Sequence, residues 1–244
     1  MSEQIVLFDL PSREPRSCWS LNPWKTRMLL NYKGLDYRTE WVEYPDIQPT
    51  FSPHLPPNKT TITPYSIPTI RLPSGTYVSD SRVIATTLEQ ARPSPPLHLD
   101  SPQLARLEEL MRAIMLGLRS VYIPLVPRRL LNDASLPHWY RTRAEWIGMP
   151  VDEFERAHPA AEGWAAAEGF LKEVTGLLKA ADGKGPFFLG GEVSYADFVW
   201  GGFLVFLGRI GKDVVEEGLR RCGDREVHEA LLRGLGPWTE RCDY

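Results

Sequence analysis

A chain of 244 residues is long enough for one large domain or two small ones. Its 28 Lys and Arg against 31 Asp and Glu leave a formal net charge of −3, without the basic stripe a nucleic-acid binder would carry. At 43% hydrophobic and 24% charged residues the composition is globular and excludes a wholly disordered chain, although its 22 prolines are about twice the usual share.

The first residues, Met1 to Gln4, carry no basic flank, and Ile5-Val6-Leu7-Phe8 is too short for a secretory apolar segment. The most apolar stretch, Phe198 to Ile210, falls short of the ~20 residues that span a bilayer and reads as a buried soluble helix. Cys18, Cys222 and Cys242 follow no metal-binding spacing. The expectation is a cytoplasmic protein with small-molecule partners and neither nucleic-acid nor membrane attachment.

In chain order, Gln4 to Leu10 reads as a strand ending at Pro11. A polar loop follows, then a helix from about Pro23 to Lys33 that Gly34 stops. Tyr37 to Val42 alternates as a second strand. Glu43 to Tyr65 holds six prolines, a density that argues against a regular helix and for a long loop. Ile67-Pro68-Thr69-Ile70 and Tyr77-Val78 are short strands on either side of a Pro73-Ser74-Gly75 turn, and Ser79-Asp80-Ser81 caps a helix to about Gln90. Arg92-Pro93-Ser94-Pro95-Pro96 reads as a linker. Everything beyond reads helical. Leu104 to Leu118 and Ala160 to Leu178 keep the helical period, a buried helix opens at Ser194, and two short helices follow over Val214 to Cys222 and Glu226 to Gly234. The fold class is therefore an α/β domain with a small four-stranded sheet over residues 1–92, a linker over 93–101, and an all-α domain over 102–244. Such a pairing leaves a cleft in which small ligands bind.

Three constellations bear on chemistry. Ser20-Leu21-Asn22-Pro23-Trp24-Lys25-Thr26-Arg27 lies where the first loop enters the first helix. A helix N-terminus offers unpaired N–H groups and a partial positive charge to an anion, and a hydroxyl there adds a donor. The plainer alternative is that Ser20 or Asn22 is only an N-cap. In Tyr65-Ser66-Ile67-Pro68, a cis bond before Pro68 would turn the N–H and C=O of Ile67 outward toward a peptide-like ligand, whereas a trans bond would be an ordinary edge-strand proline. Asp80-Ser81 at a helix start either caps the helix or binds an amino-acid end group, the carboxylate of Asp80 taking the ammonium and the Ser81 hydroxyl the carboxylate.

In this order along one α/β unit, these motifs resemble the glutathione transferase superfamily, and the resemblance spans nearly the whole chain. It implies a thioredoxin-like N-terminal domain followed by an all-helical one. Ile67-Pro68 matches the family's cis-proline step, Asp80-Ser81 its acidic-serine pair for the γ-glutamyl group, and Ser194-Tyr195-Ala196-Asp197 its N-capping box in the second domain. Cys18 to Arg27, Asn31 to Leu35 and Trp41 to Ile47 further resemble the fungal etherase-related class, in which the position of Ser20 carries the catalytic serine. The class usually reads Ser-Pro-Asn-Thr there. Here Ser20 and the asparagine, Asn22, remain while the proline has moved to position 23.

The resemblance implies glutathione as co-substrate, its thiolate activated by Ser20 without a metal, and a homodimer. Cys18 is the rival nucleophile, and would make the protein an oxidoreductase. For the glycyl carboxylate the sole cation of the proline loop is Lys59, with Gln48 and His54 as alternatives; Lys25 and Lys33 read as solvated positions on the first helix. Met111, Met115 and Tyr122 are candidate walls for a bulky flat second substrate, although the same spacing describes a core stripe. Arg13 and Arg16 face an acidic substrate or solvent. The functions implied are conjugation or ether cleavage of hydrophobic aromatic electrophiles in detoxification. Alternatives are an isomerase or tailoring step of secondary metabolism, or a non-catalytic carrier of hydrophobic ligands.

Overall fold

The computed structural model describes residues 4–59, 63–180 and 184–242. The sequence readings that touch residues 1–3 and 60–62 lie outside the described residues.

Strands β1 (Ile5–Asp9), β2 (Tyr37–Trp41), β3 (Thr69–Arg71) and β4 (Tyr77–Ser79) form one sheet in the order β2-β1-β3-β4. β1 and β2 are parallel, joined by helix α1 (Leu21–Tyr32); β3 runs antiparallel to both β1 and β4. Every residue of β1 is buried, as expected of a central strand covered on both faces. The ion pair of Asp9 with Arg27 fastens α1 to this strand, Nε to Oδ2 at 2.9 Å with both side chains fully buried. Arg27 Nη2 also donates to Thr39 Oγ1 of β2 at 2.9 Å, so one guanidinium joins three elements.

The proline-rich stretch after β2 departs from the loop expectation. It folds into a 3₁₀ turn, Tyr44–Asp46, and a one-turn helix α2, Ile47–Phe51. Pro45 and Pro49 both sit in first turns, where the missing N–H has no intrahelical partner to lose. Helix α3 (Ser81–Ala91) closes the sheet domain. Lys33 is not solvated: its ammonium is fully buried and donates to Glu89 Oε2 (2.6 Å), the Arg92 carbonyl (2.5 Å) and the Pro95 carbonyl (2.9 Å). It pins the segment leaving α3 against α1.

Among the described residues eight helices follow: α4 (Pro102–Gly117), α5 (Arg119–Arg129), α6 (Leu136–Ile147), α7 (Val151–Ala157), α8 (Ala160–Lys179), α9 (Tyr195–Ile210), α10 (Lys212–Cys222) and α11 (Arg225–Thr239). Among the described residues no single helix is long and apolar enough to cross a membrane. Helix α9 is buried on nearly all sides and carries several of the largest core residues, among them Phe198, Trp200 and Phe203. Asp197 caps it: Oδ2 accepts from the Ser194 N–H (2.7 Å) and hydroxyl (2.8 Å), and Oδ1 from the Phe188 N–H (2.9 Å). α9 lies directly on α1, and a Cβ on Gly202 would stand 3.1 Å from the Leu21 carbonyl. The core helix of the second domain thereby holds the opening turn of α1 in place.

Candidate active site

Ser20 occupies the N-cap of α1 with an extended backbone (φ −77°, ψ 137°), yet its hydroxyl makes no capping hydrogen bond. The simple N-cap alternative therefore describes its position and not the use of its side chain. The N–H groups of Leu21 and Asn22 precede any intrahelical acceptor, and Pro23 has none to offer. Ser20, Leu21 and Asn22 all line a cavity of about 820 Å³ between the sheet domain and the helices. One hydroxyl, two backbone donors and the positive end of a helix dipole thus meet at its wall.

Cys18 is fully buried behind this turn, beside Arg27, Asp9 and Cys242, and does not line the cavity. Burial pushes its thiol far up, away from the thiolate a nucleophile needs.

Ile67-Pro68 is a cis step, as the motif suggested, and Ile67 lines the same cavity. β3 starts only at Thr69, so Ile67 stands outside the sheet ladder. The Ser66 carbonyl accepts from the Thr69 hydroxyl at 2.9 Å, which folds the loop back on its own strand. The Asp80 N–H donates to the Pro68 carbonyl at 3.2 Å, bringing the start of α3 beside the cis step. Asp80 has a left-handed backbone, φ 79°, and caps α3 through Oδ1, which accepts from the N–H of Arg82 (2.8 Å) and Val83 (3.2 Å). Ser81 is buried, and its carbonyl accepts from the Tyr195 hydroxyl of α9 at 3.0 Å. Asp80 and Ser81 are thus held next to the cis-proline loop, although neither lines the cavity itself.

The other expected positions fall partly on and partly off the cavity. Lys59 is exposed and off the cavity, and His54 stacks on Tyr77 with ring centroids 4.2 Å apart; Gln48, from α2, does line the cavity. Met111 is a core residue of α4, buried with its neighbours Leu107 and Ile114. Met115 and Tyr122 line the cavity. Arg13 turns away from any substrate, its Nη2 donating to the carbonyls of Pro127 (3.0 Å) and Leu131 (2.9 Å), while Arg16 is exposed beside Glu14. Lys25 is not fully solvated either: burial lowers its ammonium to about 8 against the opposing pull of Glu108 and Asp80.

Helix α6, unassigned in the sequence reading, supplies the far wall with His138, Trp139, Arg143 and Trp146. Its placement rests on a proline. Pro127 in α5 lacks the N–H that would reach the Ile123 carbonyl, and the Trp139 indole donates to that carbonyl at 3.1 Å instead. Arg143 then stacks on Trp139, its guanidinium carbon 4.0 Å from a ring centroid. A signal for α6 was available in the 3–4-residue spacing of Trp139, Arg143 and Trp146 after Pro137, a helix-starting proline.

The N-terminal domain model of the glutathione S-transferases matches residues 19–91, and their C-terminal domain model residues 106–218. The chain belongs to the glutathione S-transferase family, in which glutathione is the co-substrate. It is 32% identical over 263 residues to the glutathione S-transferase-like protein ustS of Aspergillus flavus, covering 97% of this chain and 91% of the relative. Among solved structures it is similar to glutathione transferase GSTFuA3 from Phanerochaete chrysosporium (27% identity, 98% of each chain, TM-score 0.84). It is also similar to CsGST63524 of Ceriporiopsis subvermispora, solved in complex with glutathione (29% identity, 97% of this chain and 98% of that one, TM-score 0.82).

Proposed function

We propose that this protein is a serine-type glutathione transferase that conjugates glutathione to hydrophobic aromatic electrophiles or cleaves their aryl ethers. Ser20 donates a hydrogen bond to the glutathione sulfur, with the N–H groups of Leu21 and Asn22 close by. The Ile67 N–H and C=O pair with the peptide part of glutathione, and Asp80 and Ser81 receive its γ-glutamyl end. Gln48, rather than Lys59, is the side chain of the α2 region suited to the glycyl carboxylate, because it lines the cavity. The family resemblance implies a homodimer.

The energetics are sufficient without a metal. A free thiol at ~8.5 is only about 3% thiolate at neutral pH, and lowering it by about two units needs roughly 2.7 kcal/mol of preference for the anion. A hydrogen bond to a charged group supplies about 1.5–3 kcal/mol and the helix terminus about 0.3–1 more. Proximity to an electrophile held in the same cavity supplies the rest.

The observation that carries this reading is the Ser20 hydroxyl, free of any capping bond, in the wall of a cavity it shares with Ile67. The test is Ser20→Ala. Ultraviolet absorbance of the bound thiolate, titrated against pH, is expected to move up by roughly 1–2 pH units as that hydrogen bond is lost. Glutathione affinity by calorimetry should change little. An unchanged thiolate titration would remove Ser20 from the mechanism.

A further inference from the structure

The far wall of the cavity carries a positive charge with no carboxylate to answer it. Arg143 lines the cavity and has no carboxylate within 4.0 Å among the described residues. The acidic residue of this wall, Glu145, is paired instead with Arg141 at 3.2 Å. Arg143 is held by its neighbours. Its guanidinium lies 4.0 Å from a Trp139 ring centroid and 5.6 Å from that of Tyr44, and Nη1 donates to Thr142 Oγ1 at 3.0 Å. The Tyr44 hydroxyl accepts from it as well, and together these two bonds leave part of its donor fork unspent.

Two phenols accompany it. Tyr44 is fixed through its N–H, which donates to Ser135 Oγ at 3.0 Å, and by edge-on contact with Trp139 at 5.5 Å; its hydroxyl lies against Arg143. Tyr122 reaches the same cavity from α5. Burial pushes both hydroxyls up to about 12 against the pull of Arg143, so both stay protonated and able to donate. His138, stacked on Tyr44, is held below its usual value by burial and by Arg141 and Arg143, and adds no positive charge at neutral pH. Below this polar end the wall is apolar and flat: Phe206 packs against Trp19 and Tyr122, each 6.2 Å between centroids, with Met115 and Val126 alongside.

A guanidinium with free donors and two protonated phenols, set above an aromatic slot, calls for an anionic acceptor on a planar body. We propose that the second substrate is an aromatic electrophile bearing a carboxylate, seated on Arg143 between the hydroxyls of Tyr44 and Tyr122. This rests on the glutathione transferase reading, and Arg143 is a specificity-determining residue in it. Ser20 keeps the sulfur; Arg143 selects and orients what the sulfur attacks. With a chlorinated dinitrobenzoate, the sulfur bonds to the chlorine-bearing ring carbon, chloride leaves with the electron pair, and the thiol proton passes to solvent.

The test separates binding from chemistry. Calorimetry on the glutathione-saturated protein compares the unreactive pair 3,5-dinitrobenzoate and 3,5-dinitrobenzamide, which differ in charge and little in shape. The benzoate is expected to bind roughly tenfold or more tightly, the worth of one charged hydrogen bond, and the preference should weaken with added salt. Arg143→Gln should abolish the preference while leaving the amide within about twofold, and Arg143→Lys should restore part of it. Equal affinity of the two ligands, failure of the benzoate to bind, or an equal effect of Arg143→Gln on both would overturn the proposal. Glutathione is titrated alone first. If it gives no heat, the transferase reading falls by itself, and the benzoate–amide comparison, run without glutathione, still decides the role of Arg143.

Discussion

The buried imidazole of His228 links folding to pH in a way that can be worked out atom by atom. Its Nδ1 accepts from the Trp200 indole N–H at 2.9 Å, and an indole nitrogen can only donate. The remaining proton therefore sits on Nε2 and is donated to Thr175 Oγ1 at 2.8 Å, whose own proton goes to the Cys222 carbonyl, also at 2.8 Å. Every polar atom of the chain from α9 through α11 and α8 to the end of α10 is satisfied, and only with a neutral ring. Burial lowers His228 to about 4 from its ordinary 6.5. A base whose pKa falls on folding contributes stability that is complete above the unfolded value and is lost as pH falls toward the folded one. At ~1.36 kcal/mol per unit, lowering pH from 7.5 to 5 should cost about 2 kcal/mol through this residue alone. Asp197 works in the opposite direction: burial raises it to about 6, so it gains relative stability as pH falls below that. The assay is therefore a difference: urea unfolding of wild type and His228→Phe at pH 7.5 and pH 5. The variant is expected to be less stable at pH 7.5, because it strands the Trp200 and Thr175 polar groups, and to lose about 2 kcal/mol less than wild type on acidification. Parallel losses in the two proteins would refute the neutral, Nε2-protonated assignment.

Two substitutions test how the second domain is held. Asp197→Ala removes the acceptor of the Ser194 and Phe188 N–H groups, and at about 1–3 kcal/mol for each buried donor left unpaired should lower the urea midpoint well beyond an ordinary cap deletion. Gly163→Ala would place a Cβ 2.4 Å from Ser120 Oγ and 2.9 Å from the Gly117 carbonyl, where α8 crosses the α4–α5 junction. A loss of about 1–3 kcal/mol by overpacking is expected despite alanine's better helix propensity, and an unchanged or higher Tm would show that the helices do not approach so closely.

Legibility in the sequence followed the locality of the signal. The run Ile5-Val6-Leu7-Phe8, the opening of α9 at Ser194 with Asp197 three residues on, and the Asp80 cap of α3 are all decided within a few residues, and their elements lie where the pattern placed them. The cis step at Ile67-Pro68 was legible only through the resemblance, because proline alone does not choose its isomer. Lys33 misled for the opposite reason. A lysine on a helix is usually solvated, and only the distant Glu89, Arg92 and Pro95 make an acceptor cage for it. Met111 and Met115 are four residues apart on α4, and their common stripe could not tell which would face the core and which the cavity.

The cavity wall shows why the substrate end of such a site resists reading from the sequence. Pro124 and Pro127 look like helix breakers, and counting them argues against α5. In the folded chain the defect becomes a fixture, because the carbonyl that Pro127 leaves open is the one that anchors the Trp139 indole, and Trp139 in turn carries Arg143. The position of one guanidinium thus depends on a missing N–H sixteen residues upstream and on a contact between two helices, neither visible in any local window. The end proposed for glutathione has no such chain of dependence. Ser20, the cis step and Asp80-Ser81 each sit at an element boundary within one small α/β unit, where the backbone itself presents the donors. On the proposed reading, a change of substrate would be made by altering α5 and α6, while the opening turn of α1, proposed to hold the sulfur and clasped by α9 at Gly202, stays as it is.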